Sequence, residues 1–435
     1  MITESISAIS TAIGVGGVAI IRISGADSLK IASAMFLPSG GVKEYEPNRM
    51  YAGRIICNGF EDYGFLVYFK APKSFTGEDV AEFHCHGGVQ IARGVLEKTF
   101  SLGSRLAERG EFTKRAFING KLSLSSAEGM IDMINAESLA EVKASNMLYR
   151  EKLTEKVVPI QNELKEILAA IAADSDYPEE DLEGLEKGKT EQKLKSVKEE
   201  LSSLVQTYSV GKRIKSGVNV VLCGKPNVGK SSLLNALLGC DKAIVSSKAG
   251  TTRDVVEGGM EIGGIKFNLY DTAGIRERVG EIEKIGVNRA ISAQKSADIV
   301  LLIRDGKSNY TPVETSGKVI KIFNKCDEVK PFGEYDLAIS AKTGGNIPQL
   351  IKILGEYGSD GITADGEYIT CERHFNALSR ALDNLNSALE NLKLFPQDVI
   401  FTDVTEAWSA LGEITGETAN EEIINEVFSK FCVGK

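Results

Sequence analysis

The chain has 435 residues, 43% of them hydrophobic, with 51 basic against 60 acidic side chains and a net charge of −9. That length is too great for one ordinary core, so two or three domains are expected, and the charge balance argues against a generally basic nucleic-acid coat. No apolar run approaches the ~20 residues that span a bilayer, and no leader pattern follows Met1, so a soluble cytoplasmic protein is expected. The seven cysteines (Cys57, Cys85, Cys223, Cys240, Cys326, Cys371, Cys432) form no C-x-x-C pair and read as buried thiols in a reducing compartment.

Residues 1 to about 118 read as strand-rich with some helix. Val18–Ile23 is a short buried strand, and Tyr51–Ile56 pairs with Gly64–Phe69 through a polar turn. Val80–His86 alternates like a strand, placing Glu82, His84 and His86 on one face, before a helix through Ile91, Val95 and Leu96. With three histidines in the chain and no ligand constellation around them, His84 and His86 read as structural residues rather than metal ligands. From about 122 the pattern is helical, with Leu153, Val157, Ile160, Leu164, Leu168 and Ile171 spaced by three and four until Pro178. A second helix carries Leu194, Val197, Leu201, Leu204 and Tyr208, and the polar stretch 211–217 reads as a lead into the next domain.

That domain opens with Gly224-Lys225-Pro226-Asn227-Val228-Gly229-Lys230-Ser231-Ser232, a G-x-x-x-x-G-K-S loop between a buried strand and an apolar helix. Its glycines let successive N–H groups face one anion, Lys230 reaches the outer phosphates, and the Ser231 hydroxyl suits Mg²⁺. Gly250-Thr251-Thr252 supplies a second Mg²⁺ position and a γ-phosphate sensor in Thr252. Asp271-Thr272-Ala273-Gly274 ends a strand with a carboxylate aimed at the metal's water shell. Asn324-Lys325-Cys326-Asp327 places a carboxylate that accepts both N–H groups of a guanine edge, and Ser340-Ala341-Lys342 closes over the base. Where many small GTPases carry a water-orienting glutamine the chain has Ile275, so Glu277, Glu281 or Glu283 must take that role; no arginine finger is legible among Arg253, Arg276 and Arg278. These motifs are identified as those of a GTPase domain of the translation-factor-related class.

Strands near Val220, Ile262, Leu269, Val300 and Ile322 alternate with helices, and the helix Ile347 to Tyr357 closes this domain near 358. Phe375, Leu378, Leu382, Leu385, Leu389 and Leu392 then form a stripe that needs a helical partner, for which the earlier helices serve.

Outside the nucleotide motifs, Ser74–Asp79, His86-Gly87-Gly88, Gly110–Phe117, Asn119-Gly120-Lys121, Leu411–Glu417 and the Phe-Cys-x-Gly-Lys terminus resemble the tRNA modification GTPase MnmE (TrmE) family over essentially the whole chain. The resemblance implies a multidomain α/β plus α architecture. A P-loop GTPase domain with a parallel-rich sheet (216–358) is inserted into an all-helical domain (119–215 and 359–435), preceded by an α+β folate-binding and dimerisation domain (1–118). It implies a potassium-stimulated GTP hydrolase that, with the FAD- and NADH-dependent partner MnmG (GidA), modifies C5 of the tRNA wobble uridine. The group added is aminomethyl or carboxymethylaminomethyl, from a 5,10-methylenetetrahydrofolate one-carbon unit, with 5-formyltetrahydrofolate as an analogue.

The implied folate positions are Arg22, Glu82, Lys121 and Lys435. The implied GTP set covers Asn227 through Ser232, Ser246, Ser247, Lys248, Ala249, Gly250, Thr251, Thr252, Asp271 through Gly274, Asn324, Lys325, Asp327, Ser340, Ala341 and Lys342. K⁺ falls to Asn227, Ser246, Lys248 and Thr251, Mg²⁺ to Ser231 and Thr252, and catalysis to Glu283, Lys230, Thr252 and, at the terminus, Cys432. In such a family the GTPase domains of a homodimer meet face to face and the cation replaces an arginine finger, and the protein joins MnmG in a heterotetramer or larger complex. The rival reading is a ribosome-assembly GTPase acting as an RNA-binding switch, for which an appended basic RNA-binding domain would be expected.

Overall fold

The computed structural model describes residues 4–42, 44–176, 187–239, 258–271, 294–363 and 366–435. It divides into two compact units, one of Met1–Ile131, Leu148–Leu168 and Thr405–Lys435, the other of Asp132–Met147 and Ala169–Val404.

The first unit is built on a seven-stranded sheet. Its strands are β1 (Ile6–Ile9), β2 (Val18–Ser24), β3 (Phe36–Pro38), β4 (Met50–Ile56), β5 (Glu61–Phe69), β6 (Val80–His86) and β7 (Arg105–Leu106). They are ordered β3-β4-β5-β6-β2-β1-β7, antiparallel except for the β1/β7 pair. Helices α1 (Ser28–Ala34) and α2 (Val89–Ser101) cover one face, where alternate residues such as Ile21, Ile23, Leu66 and Phe83 meet Ile31 and Val95. The other face carries Arg22, Glu82 and His84 and, farther across, the exposed side chains of Val18, Leu37, Met50, Tyr63 and Phe65. Helix α3 (Glu111–Ile118) brings Phe112 under Ile6 and Ala8 at one end of that second face.

Helix α4 (Leu124–Asn135) is followed by α5 (Leu139–Tyr149) and α6 (Lys152–Asp176). The apolar spacing from Leu153 predicts α6, in which Val157, Ile160, Leu164 and Ile171 are buried, whereas Leu153 and Leu168 are half-buried and Ile167 takes the inner position beside Leu168. Pro178 lies outside the described residues.

In the second unit, α7 (Lys187–Gln206) ends at Thr207, and α8 (Tyr208–Ser216) occupies the stretch expected to be a polar lead. The charges of Lys212, Arg213 and Lys215 mask its inner face. Ile214 is buried, Gly211 lies under the Ile369 carbonyl where a Cβ would sit 2.1 Å away, and Tyr208 stacks on Phe375 with ring centroids 4.0 Å apart.

The GTPase sheet comprises β8 (Val218–Gly224), β9 (Gly258–Ile262), β10 (Ile265–Asp271), β11 (Ile299–Arg304), β12 (Lys318–Phe323) and β13 (Leu337–Ala338), with α9 (Lys230–Leu238) after β8 and α10 (Ile347–Ser359) after β13. The order is β13-β12-β11-β8-β10-β9, parallel except that β9 runs antiparallel to β10. Strands buried on both faces read as the continuous apolar runs seen in β8 and β11. Helix α11 (Glu372–Leu394) then packs its Leu378–Leu385–Leu392 stripe against α7, as its periodicity requires. The chain closes with α12 (Phe401–Thr415) and α13 (Glu421–Ser429), the latter packing Val427 and Phe428 on Leu124, Ala127 and Ile131 of the first unit.

Candidate nucleotide and pterin sites

The loop from Gly224 to Lys230 crosses the C-terminal edge of the parallel strands, where α/β folds place ligands. Asn227 and Gly229 take positive φ, 63° and 94°, which turns the loop's N–H groups inward. Gly229 also leaves room for Asn324, whose Nδ2 would lie 2.3 Å from a Cβ there. Lys230 is buried, and its Nζ donates to the carbonyls of Gly224 and Lys225, both at 3.1 Å. The Ser231 hydroxyl donates to Asp271 Oδ2 at 2.8 Å, so the hydroxyl and carboxylate proposed for Mg²⁺ and its water shell share one spot. Hard oxygen donors in that arrangement fit a hexacoordinate Mg²⁺ that keeps part of its water shell. Ser232 is exposed on the first turn of α9.

The base-recognition side is tied to the phosphate loop. Asn324 Nδ2 donates to the Val228 carbonyl at 2.9 Å, while its Oδ1 accepts from the N–H groups of Lys325 (2.8 Å) and Ala341 (3.0 Å). Lys325 Nζ reaches the Asn227 carbonyl at 2.8 Å and Asp305 Oδ2 at 2.9 Å. Asp327 is exposed, and a hydrogen bond from Ser340 holds its carboxyl below the usual range, so it presents an ionised acceptor. Lys342 is exposed beside it, 3.9 Å from Glu328.

Asp305 was missed by sequence reasoning. Burial alone would raise its pKa, but Lys325, Ser308 and the Lys307 N–H outweigh that and hold it low. Its signal was legible, since it follows β11 directly at the edge where such strands carry ligands. Ser246, Ser247, Lys248, Ala249, Gly250, Thr251, Thr252, Thr272, Ala273, Gly274 and Glu283 lie outside the described residues, as do Ile275, Glu277 and Glu281.

In the first unit Arg22 and Glu82 stand opposite each other on β2 and β6, joined by Nε–Oε1 at 2.7 Å. The guanidinium lies over the rings of Phe75 and Phe112, 5.3 and 5.7 Å from their centroids. Burial would push the Glu82 carboxyl up, yet His84 at 3.4 Å and Arg22 more than offset it, and the group stays ionised below its ordinary range. His86 pairs instead with Asp62 at 2.6 Å.

The Ser74–Asp79 and Gly110–Phe117 motifs meet through Arg115, which is fully buried. It donates to Glu78 at 2.9 Å and to Glu111 at 2.9 Å, while Ser24 bonds both Thr76 and Glu78. Lys121 Nζ donates to the Pro72 carbonyl at 3.0 Å. The terminus returns to the same unit. Val433 bridges Arg109, and Gly434, at φ 99°, passes so close to the Ile9 carbonyl at the end of β1 that a Cβ would sit 2.1 Å from it. Cys432 is exposed. Among the described residues no hydrogen bond or ion pair joins Lys121, Cys432 or Lys435 to the Arg22–Glu82 pair.

A P-loop with Ser231 against Asp271 and an asparagine linking that loop to the guanine-reading strand defines the chain as a P-loop GTPase. The TrmE N-terminus family (GTP-binding protein) matches residues 5–121, and the MnmE helical domain family matches residues 124–432. The tRNA modification GTPase MnmE of Acetivibrio thermocellus is 38% identical, covering 99% of both chains. That of Natranaerobius thermophilus is 36% identical over 100% of both, and that of Dichelobacter nodosus 37% over 99% of both. The G domain of the T. maritima FeoB iron transporter is 28% identical over 32% of this chain and 98% of its own, with a TM-score of 0.24. The chain belongs to the tRNA modification GTPase MnmE family, and it is a GTP hydrolase.

Proposed function

We propose that this GTPase acts on tRNA, using a potassium-stimulated hydrolysis cycle to support addition of an aminomethyl or carboxymethylaminomethyl group to C5 of the wobble uridine. A flavin-dependent MnmG-type partner and a methylenetetrahydrofolate carbon unit complete the reaction. One observation carries the reading. A P-loop with Ser231 on Asp271 and a sheet with Arg22 on Glu82 occur in one chain that aligns end to end with relatives named tRNA modification GTPases.

In the nucleotide site Lys230 would neutralise the outer phosphates, Ser231 and Thr252 would hold Mg²⁺ with the Asp271 carboxylate on its water shell, and Asp327 would select guanine. Asn227, Ser246, Lys248 and Thr251 would hold K⁺, which when bound offsets charge developing on the leaving phosphate; Glu283 orients the water. In the sheet unit the Glu82 carboxylate accepts from a pterin's amino and ring N–H groups, Arg22 donates to its carbonyl, and Lys121 and Lys435 suit the glutamyl carboxylate. The exposed apolar residues on the uncovered sheet face support a homodimer formed through this unit. Among the described residues no helix is long and apolar enough to cross a membrane, and we place the protein with its tRNA substrate in the cytoplasm.

GTP turnover should be well above the Na⁺ rate when K⁺ is supplied, and equal rates would remove the cation mechanism. Mass spectrometry of wobble uridines from cells lacking the protein should show the C5 modification gone; an unchanged profile would remove the tRNA assignment.

A further inference from the structure

Asp305 stands where three strand ends converge. Strand β11 lies between β8 and β12 in the GTPase sheet, with Ile303 opposite Gly224 at the start of the phosphate loop and Arg304 opposite Phe323, just before Asn324. The residue that follows β11 therefore sits between the loop that holds phosphates and the loop that reads the base. All of these residues belong to the second unit.

The two oxygens of its carboxylate have different partners. Oδ1 accepts from the Lys307 N–H at 3.1 Å and from the Ser308 hydroxyl at 2.9 Å, and the Ser308 N–H closes the turn on the Asp305 carbonyl at 3.3 Å. Oδ2 accepts from Lys325 Nζ at 2.9 Å. The same ammonium donates to the Asn227 carbonyl at 2.8 Å. One cation, carried by the base-reading loop, thus joins a carboxylate fixed to the end of β11 with the main chain of the phosphate loop. Both of the residues it joins in those loops have backbone that must be held, since Lys325 and Asn227 take φ of 65° and 63° without being glycine. Asp305 is buried, and its carboxyl stays ionised although burial opposes that, because Lys325, Ser308 and the Lys307 N–H outweigh it.

A lysine bonded to a carbonyl alone is held weakly, because its four-carbon stem is flexible and its ammonium has three donors to place. The carboxylate adds a charge-assisted bond that fixes it. We infer that Asp305 is a positioning residue for the guanine nucleotide, keeping the Lys325 ammonium on the Asn227 carbonyl so that the phosphate loop and the base-reading loop are locked in one arrangement before the ligand enters. Base and phosphates then bind as one unit without the cost of ordering two loops. Such preorganisation acts on affinity rather than on the hydrolytic step. It acts on GDP and GTP alike, since what Lys325 holds is a main-chain carbonyl and not a terminal phosphate.

Asp305→Asn separates the two oxygens. The amide oxygen keeps the turn, and the amide nitrogen, a donor, meets the ammonium in place of an acceptor. Titration of the full-length protein with a fluorescent GDP analogue should show affinity about tenfold weaker, the scale of a charge-assisted hydrogen bond. In GTP hydrolysis KM should rise while kcat at saturation stays within about twofold, a split that general loosening of the domain does not produce. Ser308→Ala, which touches only the turn and Oδ1, should bind GDP within about twofold of the wild type. Lys325→Met and the double variant Asp305→Asn/Lys325→Met give a comparison that needs no stable Asp305→Asn protein. A carboxylate that acts through the lysine leaves the double variant binding GDP no more weakly than Lys325→Met alone. Unaltered GDP affinity in Asp305→Asn, a fall in kcat with KM unchanged, an equal loss in Ser308→Ala, or losses that multiply in the double variant would overturn the inference.

Discussion

At Gly229 two requirements fall on one residue. Its φ of 94° lies in the left-handed region, and its missing Cβ is where Asn324 Nδ2 reaches across to the Val228 carbonyl. Gly229→Ala therefore introduces backbone strain of about 1–2 kcal/mol and displaces the asparagine that links phosphate loop to base loop. GTP affinity should drop by at least about tenfold, read by titration with a fluorescent GTP analogue. Undiminished affinity would show that the Asn324 link is dispensable. The motif glycine was legible in the sequence; the reason it resists replacement was not, because Asn324 lies almost a hundred residues away.

Among the elements, α3 and the loop before β6 depend on one buried guanidinium. Arg115 joins Glu78 to Glu111, and Arg105 takes Glu111 from the other side at 2.6 Å. Burial by itself would raise the Glu111 carboxyl, but Arg105, the Glu108 N–H and Arg115 bring it down to about 2. A depressed carboxyl stabilises the fold above its unfolded value, and that contribution fades as pH falls from about 4.5 towards about 2. Removing Arg115 leaves the buried Glu111 and the half-buried Glu78 short of a partner, a loss of about 3–5 kcal/mol. Arg115→Met should lower the thermal midpoint at neutral pH and move acid unfolding of this unit to higher pH, followed by circular dichroism. Coincident acid transitions would disprove the coupling. The sequence quotes both motifs, yet no spacing announces that Glu78 and Arg115 are partners. Helices with clean apolar stripes, such as α6 and α11, were readable in advance. Helix α8 was not, because Lys212, Arg213 and Lys215 disguise a face that only Ile214 and Gly211 commit to the interior.

On the scale of the whole molecule, the nucleotide loop belongs to one compact unit and the Arg22–Glu82 pair to the other, so each site can be perturbed and read separately. The pair has the features of a recognition element. Its guanidinium lies over two aromatic rings, and its carboxylate stays ionised although burial opposes that. A planar ring with adjacent N–H donors and a carbonyl would engage both groups at once, as the proposed pterin does. Calorimetry with 5-formyltetrahydrofolate should show binding that Arg22→Ala weakens by about tenfold or more, the scale of a charge-assisted hydrogen bond. Arg22→Lys should recover only part of the loss, since a point charge cannot present two coplanar donors. Binding should also persist below pH 4.5, because Glu82 is held ionised there, and fail only as the carboxylate is finally protonated. GTP titration of the same samples checks that the P-loop unit is intact. Heat of binding identical in the wild type and Arg22→Ala would leave the pair a structural ion pair and move the pterin elsewhere.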